Sequence, residues 1–404
     1  MKKFLPIIII ASLIIGFGSG FEFSQFHQSK AASVQALINQ DADNVQNVDF
    51  SEFWKAWDIL QSKYVDKSKL DLQKMVYGAI TGMVNSLGDP YTVFFEPETS
   101  QKFQEQISGS FGGVGIELDE KDGVLVVVAP IKDSPAQKAG IVTGDKIVKV
   151  DGKDTAGMAV DEAVNTIRGK IGTKVTLTIL SADGKSHDVS ITRDAIKVPA
   201  VDWKMIDYNG KHIAYMQLYS FSENIDSEFK AAADEILKSN ADGLIVDVRG
   251  NPGGLLDSAI NLAGWFVDNG QLVVSEVFGN GTRNDFKADG KSQLKKYPTV
   301  MLVNGGSASA SEILAGALHD DQHIRLIGEK TFGKGSVQEL ENLDNGASLK
   351  VTIAKWYTPG GVNISAQGIE PDIKVELTDD QKKNFIVGDP DKDPQLKRAL
   401  DALR

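Results

Sequence analysis

The chain contains no cysteine. That excludes disulfides, thiolate zinc sites and a cysteine nucleophile. Basic residues are outnumbered: 43 lysines and arginines stand against 55 acidic residues, for a formal charge of −12. Phosphate binding needs a clustered basic face and none is present, so no nucleic-acid partner is expected. Histidine is scarce, with 5 in 404 residues. Apolar content of 42% and charged content of 24% fit an ordinary folded protein. The length implies two or three domains.

An apolar run over residues 4–21 follows Lys2 and Lys3. A charged n-region before an apolar h-region marks an exported chain. The run is near the lower length limit for a spanning helix, so a cleaved signal and a retained anchor both stay open. Gly18-Ser19-Gly20 is the cleavage candidate. The polar stretch 28–47 reads as a tether.

Residues 48–108 have a helical pattern. Phe50, Phe53, Trp54, Trp57 and Leu60 form one stripe, and a second helix is predicted over 70–86 before Leu87-Gly88-Asp89-Pro90. From 109 to 195 the pattern becomes a compact, mostly antiparallel domain with one main helix, whose inner face carries Val160, Ala163, Val164 and Ile167. From 196 to 378 strands alternate with helices, which predicts a βα-layered core. A charged helical tail fills 379–404. Two buried strands end in Gly-rich turns that open helices: Arg249-Gly250-Asn251-Pro252-Gly253-Gly254 and Asn304-Gly305-Gly306 before Ser309. Sites form at such strand ends.

Ser309 to Glu312 fits the S-x-x-E capping box, so a helix cap is one reading of Ser309. A nucleophile is the other, because N–H groups at a helix start can hold an oxyanion. Such a serine needs a base. His319 lies ten residues further along the same predicted helix, about 15 Å away, and cannot reach. His323 with His319, Asp320 and Asp321 reads as a solvated helix end rather than a metal site. Lys334, between Gly333 and Gly335, is the alternative base. Burial lowers a lysine pKa and frees the amine to accept a proton. An exposed turn lysine is the plainer reading. Gln338, four residues on, is placed to orient the amine. The stretch 328–335 nearly matches a phosphate-binding loop, but a strand pattern follows where that loop would open a helix.

These motifs together resemble the carboxyl-terminal processing peptidases, or tail-specific proteases. The resemblance rests on Ser86-Leu87-Gly88-Asp89-Pro90-Tyr91-Thr92, Gly112-Gly113-Val114-Gly115, Asp247-Val248-Arg249-Gly250-Asn251-Pro252-Gly253-Gly254, the segment 306–312, Phe332-Gly333-Lys334-Gly335 with Val337-Gln338, and Gly368-Ile369-Glu370-Pro371-Asp372. It implies an α/β multidomain protein. A crotonase-like peptidase core would carry an inserted PDZ domain and an N-terminal helical segment. Ser309 would be the nucleophile, Lys334 the general base and Gln338 its support. Gly253, Gly254 and Ala310 would supply oxyanion N–H groups, with no metal or cofactor. The PDZ site would comprise Gly112, Gly113, Val114, Gly115 and Ile116, with Val164 and Ile167 on the facing helix. It would capture apolar C-terminal tails of protein substrates and gate access to the cleavage site. Arg168 is the candidate link between ligand and core. Expected surroundings are the cell envelope, with membrane contact through the N-terminus. A homodimer, through the N-terminal helices or the C-terminal helix, and an adaptor or activating protein stay open. A catalytically dead PDZ scaffold and a crotonase-like acyl enzyme fit less well: the first would lack Ser309 or Lys334, the second the PDZ segment.

Overall fold

A computed structural model of the chain describes residues 48–121, 123–181, 183–365 and 367–403. The predicted signal or anchor and the tether lie outside them. Among the described residues no helix is long and apolar enough to cross a membrane. The chain divides into two bodies, one ending at Val76 and the other beginning at Tyr77.

The first body holds helix Ser51–Lys63, which buries none of its residues. Its aromatic stripe forms as predicted, with Phe53 and Trp54 edge to face at 5.0 Å. Helix Leu72–Asn85 crosses into the second body. There Tyr77, Ile80 and Val84 pack with Phe94, Ala347 and Leu349.

The second body contains two cores. The smaller is a mostly antiparallel unit that runs from Ser110 to Lys197. Its main sheet runs in the order Ile116–Lys121, Val124–Pro130, Lys146–Val150, Lys174–Leu180, Ser186–Thr192. Alternate residues Val175, Leu177 and Ile179 point inward onto Ala163 and Ile167 of helix Val160–Ile167. The chain enters through strand Ser110–Gly113 and leaves through Asp194–Lys197, and these two strands pair antiparallel.

The larger core is built on a six-stranded sheet. Its order is Val201–Tyr208, Lys211–Leu218, Gly243–Asp247, Thr299–Val303, Arg325–Gly328, Ile373–Lys374. The first pair is antiparallel and the rest are parallel. Period-2 alternation divides each strand between two faces. Ala214, Met216 and Leu218 face helices Ile225–Lys238, Leu256–Ala263 and Ala310–Gln322. Ile213 and Tyr215 face Leu396, Ala399 and Leu400 of helix Pro394–Ala402. That C-terminal helix, expected as a subunit surface, therefore spends its apolar side inside the core. A second sheet, centred on the long strand Ser348–Tyr357, pairs with Ser336–Asn342 and Val93–Phe95. It places Lys334 and Gln338 across from Ser309.

Candidate active site

The two Gly-rich turns are knitted together by hydrogen bonds. The Asn304 carboxamide accepts from the N–H groups of Gly250 and Gly306, both at 2.9 Å. Ser307 donates its hydroxyl to the Val248 carbonyl at 2.8 Å. The Asn251 carbonyl accepts from Ala308 N–H and from the Ser311 hydroxyl, both at 3.0 Å. Gly253 is packed so closely that a Cβ there would lie 2.5 Å from the Ala308 carbonyl oxygen and 2.9 Å from Ala310 N, and its φ is +93°. Only glycine fits that position.

Ser309 follows directly in this packing, with φ 55° and ψ −116°. A residue with a side chain adopts such angles only where its surroundings hold it there. Glu312 does much of the holding. Its side chain is fully buried and its carboxylate accepts from four donors. These are the N–H groups of Ser309 at 2.9 Å, Gly333 at 2.7 Å and Lys334 at 2.9 Å, and the Thr331 hydroxyl at 2.6 Å. One carboxylate thus ties the Ser309 turn to the Lys334 loop. The sequence marked Glu312 only as a cap. Thr331 is in turn paired with Ile369 in both directions, which accounts for the Gly368-Ile369 motif.

A cavity of about 400 Å³ brings together Ser309, Lys334, Gln338, Gly253, Gly254 and Ala310. Its apolar wall includes Ile107, Leu256, Ile313 and Trp356. Gly253 donates its N–H to the Asn251 side chain at 2.9 Å, which corrects its expected use as an oxyanion donor. The N–H groups of Gly254 and Ala310 have no acceptor among the described residues. No hydrogen bond joins Ser309 to Lys334. The Lys334 ammonium instead stands 5.6 Å from the centre of the Tyr91 ring. Burial pushes the Lys334 amine below the usual lysine range and the Lys350 ammonium pushes it further, while Glu312 pulls the other way. Gln338 donates to the Ser336 hydroxyl at 2.7 Å and not to Lys334. Strand Ser336–Asn342 follows the lysine, so the near-match to a phosphate loop is a coincidence of spacing.

Behind the Gly253 turn lies a buried ionic network. Arg249 meets the carboxylates of Asp247 and Asp393, each at 2.6 Å, and also bonds Gln395 at 2.9 Å. Tyr215 donates to Asp247 at 2.7 Å. Burial, with the Asp247 charge beside it, raises the Tyr215 hydroxyl far above its usual range, so it stays a donor. The sequence motif contained Asp247 and Arg249, but nothing local pointed to Asp393. His319, set aside as a base, lies between Asp320 at 3.0 Å and Asp372 at 3.2 Å, which raise its pKa against the effect of burial.

In the antiparallel domain, strand Ile116–Lys121 is at the edge of its sheet and helix Val160–Ile167 packs beside it. The N–H groups of Val114 and Gly115 have no acceptor among the described residues. Gly115 has φ +75°, and a Cβ there would lie 2.4 Å from Ser134 Cβ. Gly112 and Gly113 belong to the entry strand. Val114 and Ile167 are buried, and Ile116 and Val164 half-buried. Arg168 is exposed, with its guanidinium 3.8 Å from the centre of the Phe111 ring on that entry strand.

Comparison with known proteins gives the family of the chain. Peptidase family S41 matches residues 212–375, a PDZ domain matches 103–180, and the activating protease CtpB N-terminal domain matches 13–99. The chain is 44% identical over 354 residues to the carboxy-terminal processing protease CtpA of Bacillus subtilis (strain 168), covering 88% of this chain and 75% of that protein. It is 34% identical over 382 residues to CtpB of the same organism, covering 94% and 78%. A solved structure of a candidate S41 protease from Bacteroides fragilis NCTC 9343 has a TM-score of 0.51 at 15% identity, covering 88% of this chain and 98% of that one. That last likeness is one of fold.

Proposed function

The chain belongs to peptidase family S41 as a PDZ-containing C-terminal processing protease, and from that premise we propose that it cuts exported proteins near their C-termini with a Ser309–Lys334 pair. The observation that carries the pairing is the state of Lys334. Its amine lines the same cavity as Ser309, is half-buried, and makes no ion pair among the described residues. A lysine so placed gives up its proton below the usual lysine range and can serve as a base.

The Lys334 amine leaves Tyr91 and takes the Ser309 hydroxyl proton as Ser309 Oγ attacks the scissile carbonyl carbon. The N–H groups of Gly254 and Ala310 receive the oxyanion. The tetrahedral species collapses by breaking the C–N bond, and the Lys334 ammonium returns its proton to the leaving amine. Water then attacks the Ser309 ester with Lys334 again accepting a proton. The ester C–O bond breaks, Ser309 recovers its hydrogen, and the new carboxyl terminus departs. Gln338 turns from Ser336 to hold the amine in line.

The substrate tail adds as a strand along Ile116–Lys121, its carboxylate on the free N–H groups of Val114 and Gly115 and its apolar end against Val164 and Ile167. The gate runs through Arg168 and Phe111 to helix Pro97–Ser108, whose Phe103 and Ile107 line the cavity. The protein works in the cell envelope. The uncovered aromatic face of helix Ser51–Lys63 is the surface for a second copy or an activating protein.

Activity needs the neutral amine, so kcat/KM rises with pH through one ionisation below the usual lysine range. Lys334→Arg is then as inactive as Lys334→Ala, because a guanidinium stays protonated. Ser309→Ala stays folded and loses cleavage. A folded Lys334→Arg enzyme of near-native rate, or a rate that falls as pH rises, would show the lysine acting only as a positive charge.

A further inference from the structure

Residues 89–92 form a turn beside Lys334, whose ammonium faces the Tyr91 ring. The Asp89 carboxylate accepts from Tyr91 N–H at 3.0 Å and from the Thr92 hydroxyl at 2.6 Å. Thr92 in turn accepts from Thr352 N–H at 3.0 Å. Thr352 is two residues beyond Lys350 on the strand that pairs with Gln338, and Lys350 is paired in register with both Leu340 and Val93. This turn therefore fixes the part of the long strand that presents Lys350 to the cavity. Lys350 and Lys334 are both cavity-lining residues.

Two ammonium groups sharing a half-dry cavity repel one another, and the environment decides which one yields its proton. Lys350 is the better supported. Its ammonium lies 5.4 Å from the centre of the Phe95 ring and 5.3 Å from that of Phe103, two faces that favour a cation. The Asp89 carboxylate also favours its charge. Lys334 has one ring, Tyr91, and the Glu312 carboxylate, whose oxygens are already occupied by four donors. The charged and titratable groups facing the pair are thus Asp89 and Tyr91 from the turn and Glu312 from the nucleophile helix. Burial lowers both lysines, and Lys350 adds to the lowering of Lys334.

We propose that Lys350 is a positioning residue of the active site, a fixed cation whose charge keeps the Lys334 amine in its proton-accepting form. The proposal rests on the reading of Lys334 as the base only for its effect on rate. Its effect on the titration of Lys334 stands without it.

The test uses the full chain with Ser309→Ala, to prevent self-cleavage, and follows the reaction of Lys334 with acetic anhydride against pH by mass spectrometry. Lys350→Met keeps the stem between Phe95 and Phe103 but removes the charge. It is expected to move the Lys334 titration upward by at least about half a unit, or about threefold less neutral amine below the midpoint. Lys350→Gln, a second neutral variant, gives the same shift should the first not fold. Lys350→Arg, which keeps the charge, leaves the midpoint in place. In enzymes that retain Ser309, the rising limb of kcat/KM moves in parallel and the rate recovers at high pH. An unmoved Lys334 midpoint in both neutral variants overturns the proposal. A moved midpoint with an unmoved kcat/KM limb upholds it and refutes Lys334 as the base. A loss of rate equal at every pH, without a titration shift, would assign Lys350 a packing role alone.

Discussion

Glu312→Gln tests how the nucleophile and its base are held together. One carboxylate oxygen takes Thr331 and Gly333, and the other takes Ser309 and Lys334. An amide has one oxygen, so one of these pairs must face an NH₂ group. The cheaper orientation turns the NH₂ toward Thr331, whose hydroxyl can reverse and accept, and leaves the Gly333 N–H unpaired. A buried donor without a partner costs about 1–3 kcal/mol. Glu312→Ala is harsher, stranding the N–H groups of Ser309, Gly333 and Lys334. At the same rate that is about 3–9 kcal/mol, comparable to the whole stability of a domain, about 5–15 kcal/mol. Glu312→Ala is therefore expected to unfold or aggregate. Glu312→Gln should fold with a lower denaturation midpoint. Its kcat/KM should fall by about 100-fold, since a 1 Å shift of the Lys334 loop or of the strained Ser309 costs that much. The measurements are chemical unfolding followed by tryptophan fluorescence and kcat/KM on a protein with an apolar tail. A Glu312→Gln enzyme with native midpoint and native rate would refute the argument that this carboxylate organises the site.

Gly253→Ala places a methyl within 2.9 Å of Ser309 and Ala310 backbone or side-chain atoms and forces φ +93° on alanine. It should abolish cleavage and lower the thermal midpoint, and a native-like rate would show the turn to be more yielding than its packing indicates. Arg249→Met leaves Asp247 and Asp393 buried without their partner, at about 3–5 kcal/mol. An unchanged urea midpoint would contradict that. A substrate amidated at its C-terminus should bind more weakly than its free-acid form, because the N–H groups of Val114 and Gly115 pair best with a full negative charge. Equal affinities by calorimetry would remove the carboxylate from the recognition.

Much of this was legible in the chain because it is written in local patterns. The period-2 strands, the helix 160–167 and the Gly-rich turns each depend on residues a few positions apart. The resemblance implied that Ser309 pairs with Lys334, and the structure places both on one cavity. What escaped depends on partners far apart in sequence. Glu312 looked like a cap because its two nearest functions, capping Ser309 and holding Gly333 and Lys334, differ only in contacts made across a sheet. Nothing local in the sequence singles out Lys350, whose ring partners Phe95 and Phe103 lie about 250 residues earlier in the chain. The expected use of the Gly253 N–H turned on a side-chain orientation that local pattern does not fix. Which N–H of a glycine pair is free depends on where the Asn251 side chain turns.

The contact between Arg249 and Asp393 spans 144 residues, and synthesis runs in one direction. A growing chain releases Ser309 and Lys334 before Asp393 has been made. Until Asp393 arrives, Arg249 has Asp247 but lacks its second carboxylate and the tie to the C-terminal helix. The ionic network behind the Gly253 turn is therefore completed only when the C-terminal helix is in place. A chain truncated ahead of Asp393 would keep Ser309 and Lys334 and lose one carboxylate of the Arg249 network.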